Sequence, residues 1–548
     1  MDSQLHHDRG FLRQRFPRRG LLRAGSLGAG GLLGAALLAC RGGDEAPAPA
    51  AGGPDGATPG PIKRGSTLRL GFTIPAVTID PHTDLSLGVI FFPYLYGYLM
   101  HEVGDPPRHL FDHAHSLEQP DDATFVFKLR RGIRFHDVDP VFGRELTSED
   151  VVYSLNRLAS QTFGTSGFWR LRVESIANPD RDTVVVKTKG PYAYTLEEVG
   201  SIRTAIVARE VVEKFGDLQT REAGSGPFMA KSFSRGEYLE AIRHPMYYRE
   251  GIPYLDGMSW RIIPDDASLE AAFRARSLDV YTPPSKTKAD ALAAASDIVV
   301  TEAPSTAYRV FILNPRTFQP FQDIRVREAF DVALDRHAMI DKLEFGAGKA
   351  CGPVPWALEF WALSQDELEA FYEHNPAKAR RLLTEAGFEG LEVELKYPSG
   401  ETDLAAVLKD NLRDAGVNLK LAPMELGTWL SEFYAGNFET TAFAQLPYGS
   451  EFLPLQFHHS RNVGRDMEPV LEPDERLDAL LEEMLHTLDV NQRRELGLEA
   501  QRRILRRRGP MLSLFSPYFY LAAWRYIRGY EAQREDLGLY NYEVWLDK

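Results

Sequence analysis

Between Thr124 and Leu158 the spacing of apolar residues changes from two to about three and a half. Phe125, Phe127 and Leu129 alternate with Val126, Lys128 and Arg130, and Ile133 and Phe135 resume that alternation after Gly132. This period predicts a two-stranded ribbon turning at Arg131-Gly132. Val151, Val152, Leu155 and Leu158 then recur at helical spacing behind Thr147, a good N-cap, with Asp150 three positions on. The pair forms a capping box with the shorter acid. Similar patterns continue downstream. Residues 67–72 and 307–314 alternate as strands, and segments from Val173 to Thr188 flank the turn sequence Asn178-Pro179-Asp180. Val326, Ala329, Phe330, Ala333 and Leu334 form the buried stripe of a helix. Asn375-Pro376 opens another helix, which Gly387 closes with Ala379, Leu382 and Leu383 facing inward. Residues 391–421 read strand, helix, strand. A charged helix is expected over 474–508 and apolar strand material over 511–530.

At 548 residues the chain is too long for one ordinary core and predicts two or three lobes. Its 44% hydrophobic, 11% aromatic and 26% charged residues are those of a soluble globular protein. Charge is distributed unevenly. Residues 1–39 hold six Arg against two acidic groups, a net of +4, which leaves −18 for the remainder of a total of −14. Such an acidic body, without a basic stripe carrying aromatics, excludes nucleic acid as a partner. Two cysteines, Cys40 and Cys351, cannot build a disulfide framework or a cysteine metal cluster.

The basic N-terminus has its own pattern. Arg18-Arg19-Gly20-Leu21-Leu22-Arg23 resembles a twin-arginine export motif and precedes an apolar stretch, Ala24 to Ala39, too short to span a bilayer comfortably. That stretch ends Leu37-Leu38-Ala39-Cys40, which resembles a lipobox with Cys40 as the lipidated residue. The alternative is a cleaved secretory signal with Cys40 incidental. Each buried acyl methylene contributes ~0.8 kcal/mol, so several acyl chains on Cys40 would anchor the chain to a membrane without spanning it. Residues 40–65, almost all Gly, Pro, Ala and charge after the cysteine, then read as a disordered tether.

Catalytic chemistry finds little support. The chain has no His-Glu-x-x-His, no Gly-x-Ser-x-Gly, no Gly-rich dinucleotide loop after a strand and no paired-Cys spacing. His109, His113 and His115 have no carboxylate or Cys placed to complete a metal site, and His458-His459 reads the same way. Cys351 reads as a small buried hydrophobe. The arginines at 502, 503 and 506–508 complement a helix C-terminus. No cofactor and no metal are expected.

The stretch Thr124–Leu158 closely resembles the signature of family 5 extracellular solute-binding proteins, the peptide-binding class serving ABC importers. Further matches run in family order: Ile79-Asp80-Pro81-His82 after the first strand, Gly224-Ser225-Gly226-Pro227-Phe228, Gly251-Ile252-Pro253-Tyr254-Leu255-Asp256, the segment Arg325 to Arg336, and the helix after Pro376. Together they cover about residues 66–530.

The resemblance implies an α/β, two-lobed periplasmic-binding-protein fold. Residues 66–308 would form lobe I with a subdomain inserted at about 105–205, residues 309–510 lobe II, and residues 511–548 a return to lobe I. It implies no enzyme. It implies instead a monomeric solute-binding subunit in the periplasm or at the cell surface, delivering a peptide or other small polar solute to an ABC permease and ATPase complex. An exported cofactor-dependent enzyme is the rival, and occupancy-dependent signalling is a further possibility that sequence does not separate from transport. Candidate ligand-facing residues are Asp84, Leu85, Leu87, Trp429, Phe443, Gln445, Tyr448 and Glu451. Phe168 and Trp169, in a Gly-rich loop, either stack on ligand or pack the small lobe. Peptide-binding members hold the free amine with an Asp, and here Tyr448 stands near that position with Glu451 as its substitute if the loop shifts. Without such a clamp, a sugar or opine-like solute becomes the alternative cargo.

Overall fold

Leu68 and Leu70, apolar positions of the strand Thr67–Phe72, lie buried in the middle of a mixed sheet. The strand runs parallel to Gly257–Ile262, with Leu70 opposite Trp260. A computed structural model describes residues 61–73, 76–83, 90–105, 108–161, 166–444, 450–462, 473–530 and 542–548. Among these, the sheet order is Ile298–Pro304, Phe515–Trp524, Val280–Tyr281, Thr67–Phe72, Gly257–Ile262, Tyr238–Arg243, Phe228–Ser234, with Gly348–Ala350 also pairing Phe515–Trp524. A second sheet takes the order Asn418–Met424, Glu392–Pro398, Thr440–Ala444, Arg309–Leu313, Met511–Ser513. Its core holds Val326, Ala329, Phe330, Ala379, Leu382 and Leu383, all residues of the two inward-facing helical stripes.

Two passes of chain join the sheets, Ser305–Tyr308 outward and Leu514 on the way back. They are tied together: Leu514 N–H donates to the Arg309 carbonyl at 2.9 Å and Ser305 N–H to that of Pro517 at 3.2 Å. Short paired crossings of this kind let two lobes rotate about a common hinge. Met511–Ser513 pairs with Arg309–Leu313, so the chain re-enters the first sheet at Phe515.

A third, antiparallel sheet is inserted into the first lobe, in the order Ala114–Asp121, Thr124–Leu129, Thr183–Thr188, Val173–Asp180. The helix Ser148–Ala159 follows Thr147 as its pattern predicts, and Thr147 N–H donates to the Asp150 carboxylate at 2.9 Å. The ribbon expected at Arg131-Gly132 does not form. Thr124–Leu129 finds both its partners elsewhere in the sheet, leaving Ile133 and Phe135 buried on a loop whose Gly132 has φ +78°. Nor is 474–508 one helix. It divides into Glu475–His486 and Val490–Arg506 because Asp489 accepts from the backbone of Gln492 at 2.8 Å and caps a new start.

The motif glycines serve close approach. Gly226 N–H donates to the Leu95 carbonyl at 3.0 Å, and a Cβ at this position would lie 2.6 Å from Tyr94 O. In the Ile79 to His82 turn, Asp80 receives two bonds from the Arg157 guanidinium at 2.6 and 2.9 Å. His82 Nδ1 meets the same guanidinium at 2.9 Å and Nε2 faces the Ala205 carbonyl at 3.0 Å. Burial and Arg157 hold the imidazole down at about 4, so it stays neutral and serves as acceptor on one side and donor on the other.

Candidate functional site

The inserted subdomain reaches the second lobe along one seam. Pro191 to Val199 runs from the small sheet into a short helix, Thr195–Val199, and meets residues 450–456 and 485–493. Backbone bonds set the register. Ala193 N–H donates to the Leu485 carbonyl at 2.7 Å, and His486 Nδ1 lies 2.8 Å from the Pro191 carbonyl. Farther along the same side, Phe360 N–H donates to Asp105 Oδ2 at 2.8 Å. Apolar contact accompanies these bonds, with the rings of Tyr194 and Phe452 centred 4.4 Å apart.

Between the two sides lies a cavity of about 290 Å³ lined by Tyr192, Tyr194, Glu197, Glu451, Leu488 and Arg493 among others. Tyr194 donates its hydroxyl to Glu451 Oε1 at 2.9 Å, and the Ser450 hydroxyl donates to Glu197 Oε1 at 2.7 Å. Arg493 Nε stands 3.4 Å from Glu451 Oε1, while its guanidinium carbon sits 4.9 Å from the Tyr194 ring centroid. Glu451 is 1% exposed. Burial pushes its carboxyl up to about 7 despite the opposing pull of Arg493, and Glu198 up to about 8, with Glu197 adding to the shift. Glu197 is raised as well, chiefly by burial. In a low-dielectric seam burial favours the protonated forms of Glu451 and Glu198 near neutrality unless a cation relieves them. The arrangement can therefore bind a donor-rich polar group. Among the described residues it contains no nucleophile paired to a base.

The sequence-derived candidates divide into four groups. Glu451 stands in the seam. Phe168 and Trp169 are buried one layer behind it, Phe168 stacked on Tyr192 with centroids 5.5 Å apart and Trp169 edge-on to Phe168 at 5.1 Å. Trp429 and Phe443 lie together in another cluster of the second lobe, where Trp429 stacks on Phe433 at 5.1 Å and donates its indole N–H to Thr441 Oγ1 at 3.0 Å. Asp84, Leu85, Leu87, Gln445, Tyr448 and Cys40 lie outside the described residues. Sequence reasoning missed Tyr192, Tyr194, Glu197 and Arg493. The run Tyr192-Ala193-Tyr194 before Glu197-Glu198 carries a signal of alternating aromatics leading into acids. Arg493 carries none, being one of many arginines on a charged helix.

No group of three or more His, Cys, Asp or Glu that could hold a metal ion occurs among the described residues. His113 is fully buried beside Asp112 and the Ser225 hydroxyl, and Cys351 is buried with its thiol pushed up to about 12 by desolvation. No helix among the described residues is long and apolar enough to cross a membrane.

Residues 112–460 match the model described as bacterial extracellular solute-binding proteins, family 5 Middle. The chain is similar to the oligopeptide-binding protein AppA of Bacillus subtilis, 24% identical over 464 residues covering 79% of this chain and 82% of that protein. It is also similar to the glutathione-binding protein GsiB of Salmonella choleraesuis, 25% identical over 320 residues covering 57% of this chain and 60% of that protein. Among solved structures, the periplasmic binding protein DppA of Helicobacter pylori in complex with the peptide STSA superposes with a TM-score of 0.75 at 21% identity, over 89% of this chain and 99% of that one. AgaA of A. tumefaciens R10 in complex with agropinic acid gives 0.73 at 22% identity, over 88% and 99%.

Proposed function

Since the chain belongs to the bacterial extracellular solute-binding proteins of family 5, we propose that it captures short peptides between its two lobes and presents them to an ABC permease. The observation that carries the cargo reading is the seam cavity, polar and aromatic at once, with an acid whose desolvation is incompletely offset. Closure about the paired crossings would exclude water, so that hydrogen bonds to the ligand form in a medium where they are strong. A permease that engages the closed form then senses ligand through the population of that form. The ligand-facing set is proposed to comprise Asp84, Leu85, Leu87, Gln445 and Tyr448 together with Glu451. Phe168 and Trp169 support it from behind Tyr192.

The family's members are solute-binding proteins, and the seam offers binding groups without a nucleophile and base. Membrane attachment through lipid on Cys40, twin-arginine export and action as a monomer complete the proposal. One observation favours a second cargo, a non-peptide solute of sugar or opine type: Tyr448 stands near the position where the family resemblance implies an amine-binding Asp. Thermal unfolding against free peptides, acetylated peptides, sugars and opine-like acids separates the two. Stabilisation by free peptides alone supports an amine clamp, and stabilisation by sugars or opine-like acids without peptides supports the second cargo.

A further inference from the structure

Two side chains cross the seam outside the cavity, neither of them among the residues that line it. Asp105 follows the strand Met100–Val103 and accepts the Phe360 N–H at 2.8 Å. The second lobe fixes that donor from several sides. The Phe360 carbonyl accepts from Arg494 Nε at 2.5 Å, the Arg494 guanidinium carbon lies 5.4 Å from the Phe360 ring centroid, and the Trp361 ring stands edge-on at 4.9 Å. Elsewhere on the seam, His486 ends the helix Glu475–His486 with Nδ1 2.8 Å from the Pro191 carbonyl. A carbonyl only accepts, so Nδ1 carries the proton of this bond. Beside it Ala193 N–H donates to the Leu485 carbonyl at 2.7 Å, and the Leu485 side chain is buried in the core cluster of the first lobe. Both contacts adjoin the cavity in sequence, since Pro191 precedes Tyr192 and Arg494 follows Arg493. A rotation about the crossings at Ser305–Tyr308 and Leu514 that parts the lobes must break both.

We propose that Asp105 and His486 form a latch that holds the lobes closed through protein-to-protein bonds, and that they set ligand affinity without touching ligand. The effect on affinity rests on the solute-binding reading, whereas the latch itself does not depend on the cargo. Apparent affinity is the intrinsic affinity multiplied by the closed fraction, so bonds made only in the closed form raise it for any ligand that binds there. Asp105 and His486 are therefore positioning residues. One such bond shifts a closed-to-open ratio by about threefold to tenfold, and a bond to a carboxylate shifts it by more. Affinity falls by at most the same factor when the bond is removed.

Small-angle X-ray scattering of the protein without added ligand, followed by calorimetric titration with free tri-alanine, tests this on Asp105→Ala, Asp105→Asn and His486→Ala. Both alanine variants should have a larger radius of gyration than the unmodified protein and bind tri-alanine about threefold to tenfold more weakly. Saturating tri-alanine should return their radius to that of the liganded unmodified protein, which a merely damaged fold would not do. Asp105→Asn keeps an acceptor oxygen and should lie between Asp105→Ala and the unmodified protein in both readings. An unchanged ligand-free radius in both alanine variants overturns the inference and leaves the solute-binding reading intact. An expanded ligand-free form that binds tri-alanine as tightly as the unmodified protein also overturns it. If tri-alanine does not bind the unmodified protein, the peptide reading loses its support, and the ligand-free radius alone decides the latch: expansion in the alanine variants upholds it, and no expansion overturns it.

Discussion

The Tyr194 hydroxyl donates to Glu451 at 2.9 Å across the seam between the inserted subdomain and the second lobe, joining residues 257 positions apart in sequence. Tyr194→Phe keeps the ring against Phe452 and removes the donor alone. A hydrogen bond to a charged group contributes about 1.5–3 kcal/mol. The variant should weaken ligand binding by about tenfold to a hundredfold, read by titration, while a distant change such as Gly132→Ala leaves affinity unaltered.

Stability should fall as pH rises above about 6.5. Glu451 and Glu198 keep protons to about 7 and 8, against an ordinary carboxyl value of 4.5, so the folded state binds more protons than the unfolded one across that window. Their contribution is therefore intact below about 4.5 and is lost as pH climbs through 7 and 8. Buried His82, His244 and His458, each held down at about 4, act in the opposite sense, losing stability as pH falls from their ordinary 6.5 toward 4. The two effects oppose one another below 6.5, and above it the carboxylates act without the histidines. Melting temperatures of the ligand-free protein at pH 6.5, 7.5 and 8.5 should decline, and Glu451→Gln should flatten the decline.

Asp80→Ala leaves the Arg157 guanidinium without its carboxylate in a largely buried place, which costs about 3–5 kcal/mol. Because the two residues form one interaction, adding Arg157→Ala should cost much less than its own single effect. Denaturant unfolding of both single variants and the double variant gives the coupling directly.

Two glycines in family motifs should respond differently. At Gly226 an added Cβ meets the backbone of Tyr94, Leu95 and Tyr96 at 2.6–2.8 Å, and Gly226→Ala should destabilise by about 3 kcal/mol or more. At Gly132 nothing stands within 4 Å, and the cost is that of the left-handed backbone alone, about 1–2 kcal/mol. Chemical denaturation of the two variants orders them.

Much of the fold was legible because local chemistry and tertiary structure agree. Thr147 with Asp150 and Asn375 with Pro376 start helices where their pattern says, since capping needs only neighbours. The ribbon at Gly132 failed because strand partners are chosen by the whole sheet, and Thr124–Leu129 pairs with segments that include residues 183–188. The long charged helix failed because charge pattern does not reveal that Asp489 caps a second start. Glu451, which lines the seam cavity, was singled out through its place after the segment that the resemblance aligns with an amine-binding one. Tyr194 and Arg493 were not, because their importance depends on a contact between two lobes that no local period encodes.

The most direct measurement is thermal unfolding of the purified protein, alone and with short free peptides, their acetylated forms, sugars and opine-like acids. A ligand at a hundred times its dissociation constant stabilises by about 2.7 kcal/mol, enough to move the midpoint visibly. The account predicts that free peptides raise the midpoint and that Glu451→Gln reduces the rise. A protein whose midpoint no peptide or other polar solute moves would contradict it.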